Sequence, residues 1–179
     1  MRISKLLLCV LASFSVLVLD SCGKDGPEQV INGPVKDDGG KEDDDSGDKT
    51  LKDSPYLIGC TVNPSDLRNK AEYRDLVISE FSSLTAENAM KMRNIWTGRD
   101  SYYWDDADFL VNFAENNGMR VHGHTLIWYK NPPEWLKQYD GQGEDVWKEL
   151  MKEYITEVVG RYKGRIASWD VVNEAVNNK

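Results

Sequence analysis

Cysteine, histidine and basic side chains are all scarce in this sequence, and each shortage closes off a class of function. Three cysteines are present. Cys9 lies in an N-terminal apolar run and Cys22 at its end, which leaves Cys60 alone for the rest of the chain. It cannot build a disulfide framework, and its simplest role is that of a small apolar strand residue. The two histidines, His122 and His124, share a strand face across Gly123. A His-x-His strand binds metal in some hydrolases, but such sites draw on further ligands and there is no third histidine, so no metal is expected. Lysine and arginine number 22 against 30 acidic residues, a net charge of −8. Without a basic patch to meet phosphates, nucleic acid is not an expected partner. No Gly-rich phosphate loop follows the first strand-like segment, which argues against a nucleotide-binding sheet. No cofactor is expected.

Long hydrophobic runs are also few. Leu6 to Leu19 is apolar and follows the basic stretch Met1-Arg2-Ile3-Ser4-Lys5. It is short for a membrane span and has the layout of a secretory signal. Leu19-Asp20-Ser21-Cys22 resembles a bacterial lipobox, in which the cysteine becomes the lipidated first residue. Asp20 is unusual inside that box, and an ordinary signal peptide cleaved nearby is the alternative. Residues 1–21 therefore read as a lipoprotein-type signal and Cys22 as the lipidation site. The expected location is outside the cell, lipid-anchored to a bacterial outer membrane or cell surface, with secretion as the alternative. From Gly23 to about Asp53 the chain is dominated by Asp, Lys and Gly, with almost no large apolar residues. Such a composition cannot offset the entropy of ordering, so residues 22–54 read as a disordered acidic tether.

A fold is expected from about Pro55. Tyr56 to Val62 reads as a first strand ending in the loop Asn63-Pro64-Ser65-Asp66, followed by a helix over Lys70–Glu80. Phe81 to Thr85 is a second strand. Asp105 to Asn116 carries Phe109, Leu110 and Phe113 on one face, acidic residues at its start and Gly118 just past its end, all helix signals. Met119 to Ile127 is a third strand, Glu144 to Tyr162 a long helix, and Ile166 to Ala175 a fourth strand. Alternation of this kind predicts a parallel sheet with right-handed crossovers. Polar residues gather where strands two, three and four end, which favours the mouth of a β/α barrel. A complete barrel typically needs ~250 residues, so residues 55–179 read as the first half, about four βα units, of a (β/α)8 barrel. Inward side chains of such a half, Leu126 and Val172 among them, lack an opposite wall.

The last strand is the most unusual. Ile166-Ala167-Ser168-Trp169-Asp170-Val171-Val172 is apolar and β-branched around a buried-looking Asp170, then ends in Asn173-Glu174. A carboxyl group at the end of an apolar strand is expected to be partly desolvated, with a raised pKa suited to a general acid. Strict alternation sends Asn173 and Glu174 to opposite faces, so both can serve one site only if the strand ends or bulges there.

Three stretches stand together: Thr85-Ala86-Glu87-Asn88-Ala89-Met90-Lys91, Gly123-His124-Thr125-Leu126-Ile127-Trp128, and Trp169-Asp170-Val171-Val172-Asn173-Glu174-Ala175. With Gly118-Met119-Arg120-Val121 and Val159-Gly160-Arg161-Tyr162-Lys163-Gly164 they closely resemble glycoside hydrolase family 10, chiefly endo-1,4-β-xylanases with a (β/α)8 barrel and a retaining mechanism. The resemblance implies that Glu174 is the acid/base and that Asn173 hydrogen-bonds the sugar 2-hydroxyl beside the scissile bond. It implies that Glu87, Asn88 and Lys91 hold glycone sugars, with His124 and Trp128 on the inner wall. Vicinal hydroxyls suit bidentate polar groups and sugar C–H faces suit aromatic rings. The chain departs from the family where Tyr129, Lys130 and Asn131 replace the usual His and Gln beyond Trp128, and where His122 replaces an Arg. Xylan or a xylo-oligosaccharide is the expected substrate. The nucleophile is expected beyond this chain, so that the C-terminal half of the barrel is required and the chain alone is inactive. A non-catalytic polysaccharide-binding lipoprotein, and a related barrel cellulase or mannanase, are the alternatives.

The leader generates one test. Cys22→Ala is expected to move the protein from the membrane to the soluble fraction on cell fractionation. Membrane association that survives the change, with an N-terminus upstream of Cys22, rules lipidation out. A single acyl chain anchors only marginally, so stable attachment requires more than one on the cysteine.

Overall fold

Four short parallel strands form the wall on which everything else is hung. The computed structural model describes residues 49–176; the signal-like run, Cys22 and the tether up to residue 48 lie outside the described residues. β1 (Gly59–Val62) is followed by α1 (Pro64–Asn69) and α2 (Ala71–Glu80), then β2 (Ser83–Ala86). A short helix α3 (Met92–Ile95) runs into the hairpin β3 (Trp96–Gly98) and β4 (Ser101–Tyr102), then α4 (Asp105–Asn116). β5 (Arg120–Gly123), β6 (Ile127–Trp128), α5 (Glu144–Arg161), β7 (Ser168–Trp169) and β8 (Val172–Asn173) complete the order. The sheet runs β1-β2-β5-β7, each strand parallel to the last and added on the same side, as in the wall of a β/α barrel.

The expected helices over 105–116 and 144–162 appear with at most one residue of difference at their ends. Acidic residues stand in the first turn of each, where they favour the helix N-terminus, and Gly118 takes the positive φ of 63° just past α4. The segment Asn63-Pro64-Ser65-Asp66, expected as a loop, instead starts α1. Asn63 caps the helix by accepting from Ser65 N, and Pro64 sits at the first helical position, where its missing N–H costs nothing. Order also begins earlier than Pro55. Residues 51–53 form a 3-10 turn whose Leu51 N–H donates to Glu80, so the tether cannot extend to residue 54.

Strands three and four are each shorter than expected and broken in the same place. β5 stops at Gly123 and β7 at Trp169; β6 and β8 then resume as a separate parallel pair, Ile127 opposite Val172 and Trp128 opposite Asn173. Between them the ladder is irregular but still bonded, through Asp170 N to Gly123 O (3.0 Å) and Leu126 N to Asp170 O (3.0 Å). Leu126 is buried and Val172 packs against the core, so these two side chains do not lack a wall. The open sheet face is instead polar, carrying Thr61, Thr85, His122 and Ser168, while Leu84 and Val121 point into the core.

A second aromatic cluster grows from the segment 92–104, which has no periodic pattern. Trp96 is fully buried, stacks on Tyr154 of α5, and meets Trp135 edge-on; Trp135 Nε1 donates to Trp96 O at 2.9 Å. Tyr102 and Trp104 continue the stack, their ring centres 5.1 Å apart and their planes nearly parallel. Asp108 of α4 accepts from Arg161 Nε and from Tyr162 O–H, each at 2.9 Å, which ties α4 to the end of α5.

Register between β5 and β7 depends on Gly123, which lies opposite Trp169. A Cβ at Gly123 would stand 2.1 Å from the Trp169 ring, whereas at Gly160, inside α5, it would meet nothing within 4 Å. Gly123→Ala is therefore expected to destabilise the fold by ~1–3 kcal/mol, the usual cost of overpacking. Gly160→Ala should stabilise it by ~0.4–1 kcal/mol. Urea unfolding of both variants checks this; equal shifts of the same sign would defeat the account.

Candidate active site

The residues at the strand ends are joined by a chain of contacts that runs from β2 across to β8. Glu87 follows β2, and its N–H donates to Val62 O (3.0 Å). Its carboxylate accepts from Asn63 Nδ2 at 3.3 Å, so the residue that caps α1 also orients Glu87. Asn88 Oδ1 accepts from Lys91 Nζ at 2.9 Å, and Asn88 O accepts from Asn94 Nδ2 at 2.7 Å. The Lys91 ammonium lies 5.0 Å from the centre of the Trp128 ring, within cation–π range. Lys130 approaches the same ring, 5.6 Å from its centre, and its Nζ pairs with Glu174 at 2.6 Å. Asn88, Lys91, Trp128 and Glu174 are thus brought together through Lys130, a residue that the sequence marked only as a departure from family pattern.

Glu174 itself sits at φ 54°, in the left-handed region, immediately after the last residue of β8. A non-glycine residue there costs roughly 1–2 kcal/mol. The strand therefore does end at Asn173, which meets the condition for Asn173 and Glu174 to serve one site.

The expected desolvation of Glu174 is not found. Its side chain is 42% exposed, and the Lys130 ammonium holds its carboxyl below the usual carboxylate range. The Trp128 indole and Tyr129 act in the same direction, although no well-formed hydrogen bond joins the indole N–H to the carboxylate. Trp128 Nε1 is left as a buried donor without a partner among the described residues. An apolar strand is no guarantee of a buried tip: β8 ends at an open edge, and a cation from the β6 side reaches it. Glu174 is therefore held as a carboxylate at neutrality rather than moved toward the protonated form.

Behind this row lies a second group. His124 Nδ1 and His122 Nε2 converge on the same oxygen of Asp170, at 2.9 and 3.1 Å. Hydrogen bonding from His124 first, and then from His122, holds the Asp170 carboxyl below its ordinary range. Ser168 Oγ lies 2.8 Å from His122 Nδ1 and accepts from Arg120 at 3.3 Å, so a polar relay crosses from β5 to β7. Asp170, expected to be buried, is 44% exposed and is held by this relay instead. The two histidines are engaged with a carboxylate, and among the described residues no group of three or more His, Cys, Asp or Glu is placed to hold a metal. Trp104, Trp135 and Trp147 pack within or against the core, and Met90 and Met92 are buried in it.

Comparison with known proteins agrees with this geometry. The sequence profile of glycosyl hydrolase family 10 matches residues 47–179. Endo-1,4-beta-xylanase A of Xylanibacter ruminicola is 41% identical over 135 residues, covering 71% of this chain and 36% of that protein. Beta-1,4-xylanase of Dictyoglomus thermophilum is 42% identical over 123 residues, covering 69% and 33%. Among solved structures, a psychrophilic glycoside hydrolase family 10 endo-beta-1,4-xylanase superposes with a TM-score of 0.66 at 34% identity, over 72% of this chain and 41% of that one. Xylanase 10B from Thermotoga petrophila RKU-1, in complex with xylobiose, gives 0.61 at 38% identity, over 68% and 37%. The chain spans about a third of the length of these two curated relatives. Its fold is that of the first half of a (β/α)8 barrel.

The Lys130–Glu174 pair is directly testable. In isotope-labelled protein, Lys130→Met is expected to raise the pKa of the Glu174 side-chain carboxyl, followed by its carbon NMR shift against pH, while Lys130→Arg keeps it low. The sign follows from the cause. A depressed folded-state pKa adds stability above the ordinary glutamate pKa, and that stability is lost as pH falls through the depressed value. An unchanged titration in Lys130→Met would mean that the ion pair does not set the charge of Glu174.

Proposed function

The chain belongs to glycosyl hydrolase family 10, and on that premise we propose that it supplies the glycone side and the acid/base of a retaining endo-1,4-β-xylanase. The observation that carries the reading is the unbroken row Asn88–Lys91–Trp128–Lys130–Glu174, which puts sugar-binding residue types beside the one carboxylate at the tip of β8. In this reading Glu87, Asn88 and Lys91 grip glycone hydroxyls and Trp128 and His124 form the inner wall. Asn173 meets the 2-hydroxyl of the sugar whose bond is cleaved. The unpartnered Trp128 indole N–H gives a sugar hydroxyl a ready donor, since a buried donor without a partner is costly.

Retention requires two carboxyl groups ~5–5.5 Å apart, one to attack the anomeric carbon and one to protonate the departing oxygen. Glu174 takes the second role. It donates its proton to the glycosidic oxygen as the glycosyl–enzyme ester forms, then removes a proton from the water that hydrolyses that ester. For the first step it must be protonated, which its resting pair with Lys130 opposes. A nucleophile carboxylate nearby acts in the opposite direction, because like charges at short range raise one pKa of the pair. We place that nucleophile in a C-terminal half of the barrel, so the described residues by themselves are not expected to cleave xylan. The proposal further takes the protein as exported and held at the cell surface through lipid on Cys22.

The test uses the enzyme with its barrel complete. Glu174→Ala should lower xylan hydrolysis by ~10²–10⁴-fold, the contribution of general acid catalysis. An aryl xyloside whose leaving group needs no proton should lose far less in the first step. Equal losses on both substrates would remove Glu174 from the acid role.

A further inference from the structure

We propose that His122 and Ser168 are positioning residues: acting through Asp170, they fix His124 with its Nε2 bare, as an acceptor for a sugar hydroxyl. The role rests on the reading of His124 as part of the inner wall and deepens it. The family usually carries an arginine where His122 stands, so the family pattern alone does not supply this role.

The hydrogen on each ring is placed by its neighbours. An ionised carboxylate accepts hydrogen bonds and donates none. His124 Nδ1 lies 2.9 Å from Asp170 Oδ2, so that nitrogen carries the hydrogen, and in the neutral ring Nε2 is then bare. His122 turns its other edge to the same oxygen, its Nε2 at 3.1 Å. A lone pair facing the carboxylate at that distance would be repelled, so here Nε2 carries the hydrogen and Nδ1 is bare. Ser168 Oγ, 2.8 Å from His122 Nδ1, supplies the matching O–H, while one of its lone pairs accepts from Arg120 at 3.3 Å. The two neutral histidines therefore carry opposite tautomers.

The relay carries the order of the sheet to the mouth. Ser168 is the register partner of His122 in the β5–β7 ladder, so the first members of the relay stand on regular paired backbone. Asp170 and His124 lie just beyond, where the ladder is irregular. Asp170 is 44% exposed, and a carboxylate so open would be held by His124 alone if His122 did not meet it from the other side. Sites are most precise when their supporting groups sit on rigid elements. A bare His124 Nε2 also completes the chemistry of the wall. The Lys91 ammonium and the Trp128 indole can only donate, whereas a sugar hydroxyl must also place its own proton, and an imidazole nitrogen without hydrogen accepts it.

The experiment uses the enzyme with its barrel complete, isotope-labelled in its histidine nitrogens and followed by NMR at a pH where both rings are neutral. His124 is expected to show a hydrogen-bearing Nδ1 and a bare Nε2, and His122 the reverse, with His124→Gln and His122→Phe supplying the assignments. Xylobiose should move the His124 Nε2 signal. His122→Phe removes one donor from Asp170 and should give His124 a mixture of tautomers. Xylobiose affinity should then fall about 3–10-fold, close to one net hydrogen bond. His122→Arg still donates to Asp170 and should keep His124 in its single tautomer. Ser168→Ala should move the His122 signals more than those of His124. A His124 ring with its hydrogen on Nε2 in the unaltered enzyme overturns the assignment, whether or not any variant folds. An unchanged His124 tautomer and xylobiose Kd in His122→Phe overturns the positioning role alone. Xylobiose that fails to bind, or binds without moving His124 Nε2, overturns the inner-wall reading on which the role rests.

Discussion

The close approach of Trp169 to Gly123 is the constraint from which the site's geometry follows. Parallel pairing leaves register free until something specific sets it, and a slip by one residue would turn every side chain of the fourth strand to the wrong face. The indole over Gly123 Cα sets it, because only a residue without Cβ leaves room for the ring. With Trp169 opposite Gly123, Asp170 falls beside His124; one extra residue on the β5–β6 side then brings Val172 opposite Ile127 and Asn173 opposite Trp128. Glu174 follows directly, one residue on. A packing contact in the wall, together with the one-residue shift that follows it, thus decides which polar groups meet at the mouth.

Two carboxylates on one strand end are given different company, and the difference separates their roles. Asp170 is shared by two imidazoles and lies within a relay that extends to Arg120, so it is a fixed structural anion. Glu174 has a single flexible cation as its partner, on a side chain that is itself half exposed. An exposed ion pair of this sort contributes little to stability. It can be exchanged for another partner more readily than a carboxylate locked between two rings. The left-handed backbone at Glu174 agrees with this, since a conformation that costs energy persists where the surroundings require it and is common at functional positions.

What could be read from the sequence divides along physical lines. α4 and α5 were legible because their periodicity, acidic first turns and, for α4, the terminal glycine are local signals. The three motifs were legible too, and the structure links two of them through Lys91 and Trp128. The lowered pKa of Glu174 was not, because it comes first from Lys130, a residue distant along the chain whose approach only the fold creates. The strand breaks at His124 and Asp170 were hidden by apolar residues that continue on both sides. α1 was missed although its signal was present, an asparagine cap followed by proline. The segment 92–104 carried no periodicity because its order comes from Trp96, Trp135 and Tyr154 stacking across three elements.

That aromatic cluster explains how a site so open can still be well positioned. The mouth residues sit on loops, and loops with polar side chains supply little of their own rigidity. Here the loop after β2 leads into α3, whose Met92 and Ile95 are buried, and then into Trp96, around which Trp135, Tyr102 and Tyr154 are packed. Trp135 belongs to the segment that follows Lys130, so the same cluster steadies both ends of the row from Asn88 to Glu174. Two regions of the one hydrophobic core therefore have distinct tasks. One, between the sheet and its helices, sets the register of the strands. The other, beside the mouth, holds the loops at the separation that lets Lys91 and Lys130 meet across the Trp128 ring.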